Sequence, residues 1–382
     1  MFILERLTGV GTYAWLLIIT VILICHTNAN LRLLLSGYIA ALCILAYFYV
    51  PYKTADLYRI FDMMKMYSSL PFSTFWRIYG KTSSVALARV LYWGIGRTKI
   101  YGLLPATATL ICYSCFFYIL EKSARLMKAS RRNIAVALFF FMSVGQFMSV
   151  ISNIRTMLVI AVISYCMFRE SVEKKFSVLH IILYISMVFI HNIAVLLIVF
   201  RLICLMLDRD MSLQKRIIFL LLSAGCVIAV YRITSGVIGR KIVEMVQYYL
   251  KGGYSYIWEY IIGTIVILAA FYIGIENHYI NKVGICISGN GFGEFKLYFW
   301  LSVLFACVSF PVFSVFYRFV SGVVALFSLP FAVRMLEAHT QEQLYSRRQF
   351  STESVIMLVA VLILLLSCSR GSLCSYKFFV LR

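Results

Sequence analysis

Residues 152–168 read SNIRTMLVIAVISYCMF, an apolar run suited to the middle of a bilayer, with Arg155 at its front edge. A guanidinium there costs a few kcal/mol unless it snorkels, finds a partner or faces a wet cavity. The next run, which begins FSVLHIILYISMVFIHNIAVLLIVF and covers 176–207, is too long for a single crossing, since a hydrocarbon layer of ~30 Å takes about 20 residues. His191-Asn192 is the natural place for it to turn back. The reading is two helices joined by a polar tip, with Arg155 and His191 on the same side of the membrane.

Composition extends this reading to the whole chain. Of 382 residues 62% are hydrophobic and 13% charged, and mean hydropathy is +0.90. A soluble domain could not keep that much apolar surface from water. Backbone groups in hydrocarbon must be satisfied within their own segment, and the runs lack period-2 alternation, so they predict helices rather than barrel strands. The expectation is an all-α, polytopic integral membrane protein forming a single domain over residues 1–382. About 12 transmembrane helices are expected, at 10–27, 31–50, 100–120, 133–151, 154–169, 176–190, 192–207, 216–233, 256–275, 296–312, 316–336 and 354–369. The start, MFILERLTG, has no basic n-region, so the first run is expected to be retained.

Between these helices lie a larger early loop, 51–99, and shorter stretches at 234–255 and 337–353. The early loop includes SSVALARVLYWGIG, 83–96, an amphipathic piece expected to lie in the interface. The basic turn EKSARLMKASRR, 121–132, is placed in the cytoplasm. That puts 51–99, 152–154, 191–192, 234–255 and 313–316 outside. Basic residues then divide evenly between the faces while most acids fall inside, which leaves the outer face the more cationic.

On that outer face Arg155 opens a helix, Arg232 ends one, and Arg318 sits just inside another after FPVFSVFY. Arg89 lies in the interfacial piece, and Arg240-Lys241 in the loop 234–255. Snorkelling to headgroups explains any one of them. As a group they match a phosphorylated lipid, because the planar guanidinium fork suits bidentate phosphate contact. His191 reads either as an interfacial residue or as a general base or hydrogen-bond donor at a cavity mouth. His180, within a span, reads as packing. Asp56, in KTADLYRIF, stays near the membrane because it closely follows the helix ending FYVP. Aromatics crowd both outer loops, as an interfacial belt would and as sugar stacking would.

Other chemistry finds little footing. Cys112 and Cys115 spell C-x-x-C without a second ligand pair, and no two histidines have metal-ligand spacing. SGNGFGEFK, 288–296, follows no strand and reads as a turn. There is no phosphate loop, nucleotide-sugar signature or internal repeat.

With Arg155 and His191 in place, the chain resembles the EpsG-like branch of the Wzy polysaccharide polymerases. The likeness rests on SNIRTMLVIAVISYCMFRESVEKKF followed by VFIHNIAVL, on Asp56 in KTADLYRIF, on Arg318 in VFYRFVSG and on SYKFF at Tyr376 to Phe378. The glycine that family carries before its acidic residue is absent here. The resemblance implies polymerisation of oligosaccharide repeat units on undecaprenyl diphosphate, at the outer face of a bacterial cytoplasmic (inner) membrane. No cofactor, metal or nucleic acid is implied, and a flippase and a chain-length regulator would be partners. Arg155, Arg318 and Arg232 or Arg240 would hold the lipid diphosphate, with His191 or Asp56 as the base. A lipid-linked oligosaccharide flippase and an O-antigen ligase remain alternatives.

Overall fold

The computed structural model describes residues 2–51, 56–81, 83–144, 147–207, 257–283, 292, 295–341 and 346–369, with 214 and 217. The described residues are helical, with no strand among them. Helix α1 spans Phe2–His26 and α2 Leu31–Tyr47. The early loop folds into α3 (Asp56–Ser68), α4 (Phe72–Phe75) continued by a π turn (Trp76–Gly80), and α5 (Ala86–Arg97). Next come α6 (Leu103–Met127), α7 (Arg131–Val144), α8 (Phe147–Ser152) and α9 (Ile154–Val172). The pair α10 (Val178–Val188) and α11 (Ile193–Leu207) follows. Later in the chain are α12 (Ile257–Val283), α13 (Phe295–Val308), α14 (Phe313–Phe319) with a π turn (Val320–Val324), α15 (Ala325–Gln341) and α16 (Ser346–Ser369).

Three helices among the described residues are long and apolar enough to cross a membrane: Leu103–Met127, Ile257–Lys282 and Val315–Thr340. Six more are apolar but shorter, between 10 and 17 residues. The shortest, α10, has 11 residues and rises only about 16 Å at 1.5 Å per residue. The run 176–207 does break at His191-Asn192, but into shorter helices than a full crossing needs. Elsewhere helices outrun the apolar text. α6 continues through EKSARLM to Met127, and α16 begins at Ser346 inside the expected hydrophilic stretch. Intrahelical hydrogen bonding does not stop where hydropathy does. The expected span 216–233 and the loop 234–255 fall outside the described residues, save Ile217.

Val315–Thr340 is the central helix: its apolar window is buried along its whole length, against 39% for Ile257–Lys282. Its flank meets a nest of rings in which Phe295 stacks on Phe331 and lies edge-on to Phe327, with Phe292 edge-on to Phe331. In the π turn, Gly322 lets this helix approach α9. A Cβ there would come within 2.7 Å of Ile160 Cδ1, with Met157 Sδ at 3.4 Å. That contact sets the N-terminal halves of α9 and of the Val315–Thr340 helix side by side.

Candidate functional site

Four of the expected site residues converge. Asp56 opens α3, where a carboxylate suits the positive end of the helix dipole. Its Oδ1 accepts from Arg59 Nη2 one turn on, and its Oδ2 lies 3.6 Å from Arg318 Nη2. Arg318 is the last but one residue of α14, with only Phe319 before the π turn, a distortion common at functional sites. Arg155 is the second residue of α9 after the bend at Asn153, and forms no ion pair among the described residues. A cation in a first turn opposes the dipole, whereas an anion there is favoured. Helical stability therefore does not account for Arg155; a bound anion would.

His191 occupies the turn between α10 and α11. Its Nδ1 accepts the backbone N–H of Ile193 at 3.2 Å. In the neutral ring the proton is then on Nε2, which is a donor. Burial first, then the nearby charges of Arg155 and Arg318, push the imidazole pKa down to about 4. His191 is thus a neutral hydrogen-bond donor at neutral pH, within the field of both guanidinium groups.

The amphipathic piece of the early loop closes the site. α5 docks on the His191 turn through the Ala88 N–H, which donates to the Phe189 carbonyl at 3.4 Å. Gly96 lets α5 press on α3, since a Cβ would stand 2.6 Å from the Met64 carbonyl oxygen. Trp93 Nε1 donates to the Leu70 carbonyl at 3.1 Å. Arg89 donates from Nη1 to the Tyr79 carbonyl at 2.6 Å, which ties α5 to the π turn while its charge stays on this face.

Tyr92 was not legible as a site residue. It is 3% exposed, and its hydroxyl has no hydrogen-bond partner. Burial pushes it up to about 12, with Arg155 opposing and Tyr67 and Asp56 reinforcing the shift, so its neighbours are the charged groups of the site. The signal was present in the spacing: Arg89, Tyr92 and Gly96 lie three and four residues apart, on one face of α5. Arg232 and Arg240 lie outside the described residues, as does the Tyr376–Phe378 motif.

No family model, curated protein or solved structure matches the chain.

The chemistry available is that of an anion held by Arg155 and Arg318, with a neutral donor at His191 and a carboxylate at Asp56 within the same cluster. Among the described residues no three histidine, cysteine or carboxylate side chains gather as metal ligands. A second polar cluster lies near the other end of α9, about 22 Å from Arg155 along the axis. There Glu170 accepts from Tyr184 at 3.0 Å and from Arg201 Nε at 2.5 Å, with His180 Nδ1 at 3.1 Å. The expectation of plain packing for His180 is corrected accordingly. It is buried as packing requires, but it is one member of a polar knot that ties α9, α10 and α11 together.

Proposed function

We propose that this protein is a multi-pass protein of the bacterial cytoplasmic membrane, with about a dozen crossings, that joins undecaprenyl-diphosphate-linked oligosaccharide repeat units on the outer face. It would be a lipid-diphosphate-dependent glycosyltransferase of the EpsG-like, Wzy polymerase kind. The observation that carries this reading is the meeting of Asp56, Arg155, His191 and Arg318, which come from separate parts of the chain. The three long apolar helices support the membrane setting.

In this reading Arg155 and Arg318 bind the diphosphate and stabilise the charge that grows on it as it leaves, where preorganised cations are most effective. His191 donates its Nε2–H to the same oxygens or to the acceptor sugar. Asp56 takes the proton of the acceptor hydroxyl, whose oxygen forms the new glycosidic bond while the anomeric carbon–phosphate oxygen bond breaks. The donor role for His191 is favoured over the base role because its Nδ1 lone pair is engaged by Ile193. The lipid diphosphate supplies the driving force, so the reaction asks for no nucleotide sugar.

The test is the surface glycan of a deletion strain complemented with Arg155→Ala, Arg318→Ala, His191→Ala or Asp56→Asn. Single capped repeat units at normal protein abundance are expected from each. Lipid-linked units accumulating inside the cell, or free polymer, would overturn the reading in favour of a flippase or a ligase.

A further inference from the structure

A second feature of the early loop lies outside the charged cluster. Between the end of α2, the outer flank of α3 and the start of α6 is a cavity of about 720 Å³. Tyr58, Phe61, Asp62 and Lys65 line it from α3. These positions have the i, i+3, i+4, i+7 spacing of a single helix face, and that face lies nearly opposite Asp56. Tyr101 and Tyr47 close the other walls. Gly102 allows the closure, because a Cβ there would strike the Tyr47 carbonyl oxygen at 2.2 Å.

We propose that this cavity is a saccharide subsite, holding sugar residues of the glycan away from the reacting atoms. Its walls are mainly aromatic, with Val50, Pro51 and Ile100 as the aliphatic part. The rings of Phe61 and Tyr101 lie 5.8 Å apart at 35°, and Lys65 Nζ stands 5.8 Å from the Tyr101 ring centre. Ring faces carry negative charge density, so they attract the weakly positive C–H face of a pyranose. Asp62 lies 3.7 Å from Lys65 Nζ and is exposed. Its two carboxylate oxygens can accept from adjacent sugar hydroxyls while Lys65 donates to a third. An isoprenoid tail would leave this charged pair without use. A few convergent polar groups among aromatic walls is the ordinary composition of a small-molecule site. That the sugar belongs to a lipid-linked repeat unit rests on the function proposed above; that the cavity binds sugar does not.

The experiment is a binding titration on the full chain in lipid nanodiscs. The probe is the cell's own surface glycan, freed of lipid by mild acid and cut to repeat-unit oligomers, followed by saturation-transfer NMR and thermophoresis. Saturable binding to the wild type is expected, weakened about tenfold by Tyr58→Ala, Tyr101→Ala and Asp62→Asn. Tyr58→Phe and Tyr101→Phe, which keep the rings, should stay within about threefold. Asp62 is exposed with Lys65 as its ion-pair partner, so Asp62→Asn reads the site even where an alanine variant fails to fold. Unchanged affinity in Asp62→Asn and the folded alanine variants would overturn the proposal, as would displacement of nothing but undecaprenyl phosphate. Binding requires no turnover. Polymerisation by Asp56→Asn protein would therefore remove the proposed reaction and leave this result standing, and the reverse also holds.

Discussion

Arg318 Nη2 lies 3.6 Å from Asp56 Oδ2, joining the first turn of the early loop's leading helix to the end of a late one. Both side chains remain a little over a third exposed, so the pair contributes at most about 1 kcal/mol to stability. Asp56→Asn should leave the thermal midpoint of the nanodisc-embedded protein within a degree or two. If Asp56 is the base of the proposed reaction, polymer formation should fall at least about 100-fold, the scale of a lost general base. A variant that melts normally and still builds a full glycan ladder would clear Asp56 of the role.

Under the proposed function, His191 would set the acid limit of activity. Its folded pKa, about 4, lies below the ordinary histidine value of about 6.5. Below pH 6.5 the unfolded chain therefore binds the proton and the folded one does not. The contribution to stability is complete above 6.5, declines as pH falls from 6.5 to 4, and levels off below. Protonation at Nδ1 would break its bond to the Ile193 N–H and so disturb the turn that aims Nε2; activity that depends on this geometry should stay flat from pH 8 to about 5.5 and drop toward 4. Arg155→Lys, which keeps the charge, should leave the imidazole midpoint near its wild-type value. Arg155→Ala should raise it, as read by carbon-13 histidine NMR.

Tyr92→Phe separates packing from chemistry. The hydroxyl is buried without a partner, and such a group costs about 1–3 kcal/mol. The phenylalanine variant should therefore be as stable as wild type or more so in chemical denaturation. If the hydroxyl is held there to meet a ligand beside Arg155, turnover should nonetheless fall about tenfold.

Two glycines in α5 should respond oppositely to alanine. Gly94 has open space where a Cβ would go, and a helical Gly→Ala change there should stabilise by about 0.5–1 kcal/mol. At Gly96 the Cβ would meet the Met64 carbonyl oxygen at 2.6 Å, and overpacking of this kind costs about 1–3 kcal/mol. Gly96→Ala should spread α3 from α5 and reduce activity, with Gly94→Ala as the control. Equal behaviour of the two in melting and glycan assays would argue against close α3–α5 packing.

At the other end of α9, Glu170→Ala should lower the amount of folded protein sharply. It leaves the Arg201 guanidinium without its carboxylate in a largely buried setting, a loss of about 3–5 kcal/mol. Replacing both, as Glu170→Leu with Arg201→Met, should restore much of the abundance in a detergent-solubilised yield assay. This knot would then be a structural tie, separate from the reaction.

The apolar text alone determined the class: chain-long hydropathy without period-2 alternation leaves the helix as the way to satisfy the backbone in lipid. It also determined the marked positions. Arg155 and His191 stand out because a charge or imidazole at the edge of an apolar run is visible locally, and α5 because its amphipathic pattern is local too. Helix lengths were less legible, since hydrogen bonding continues past the last apolar residue, as at Met127. What only the tertiary structure decided is which marked residues meet. Asp56 and Arg318 pair across helices far apart in the chain, Gly322 lets α9 with Arg155 approach the helix that carries Arg318, and Gly96 lets α5 clamp α3. Contacts between distant segments depend on missing Cβ atoms and on the depth of packing, and no sequence window holds both partners. The proton of His191 was settled in the same way, by a backbone N–H two residues on that the sequence does not aim.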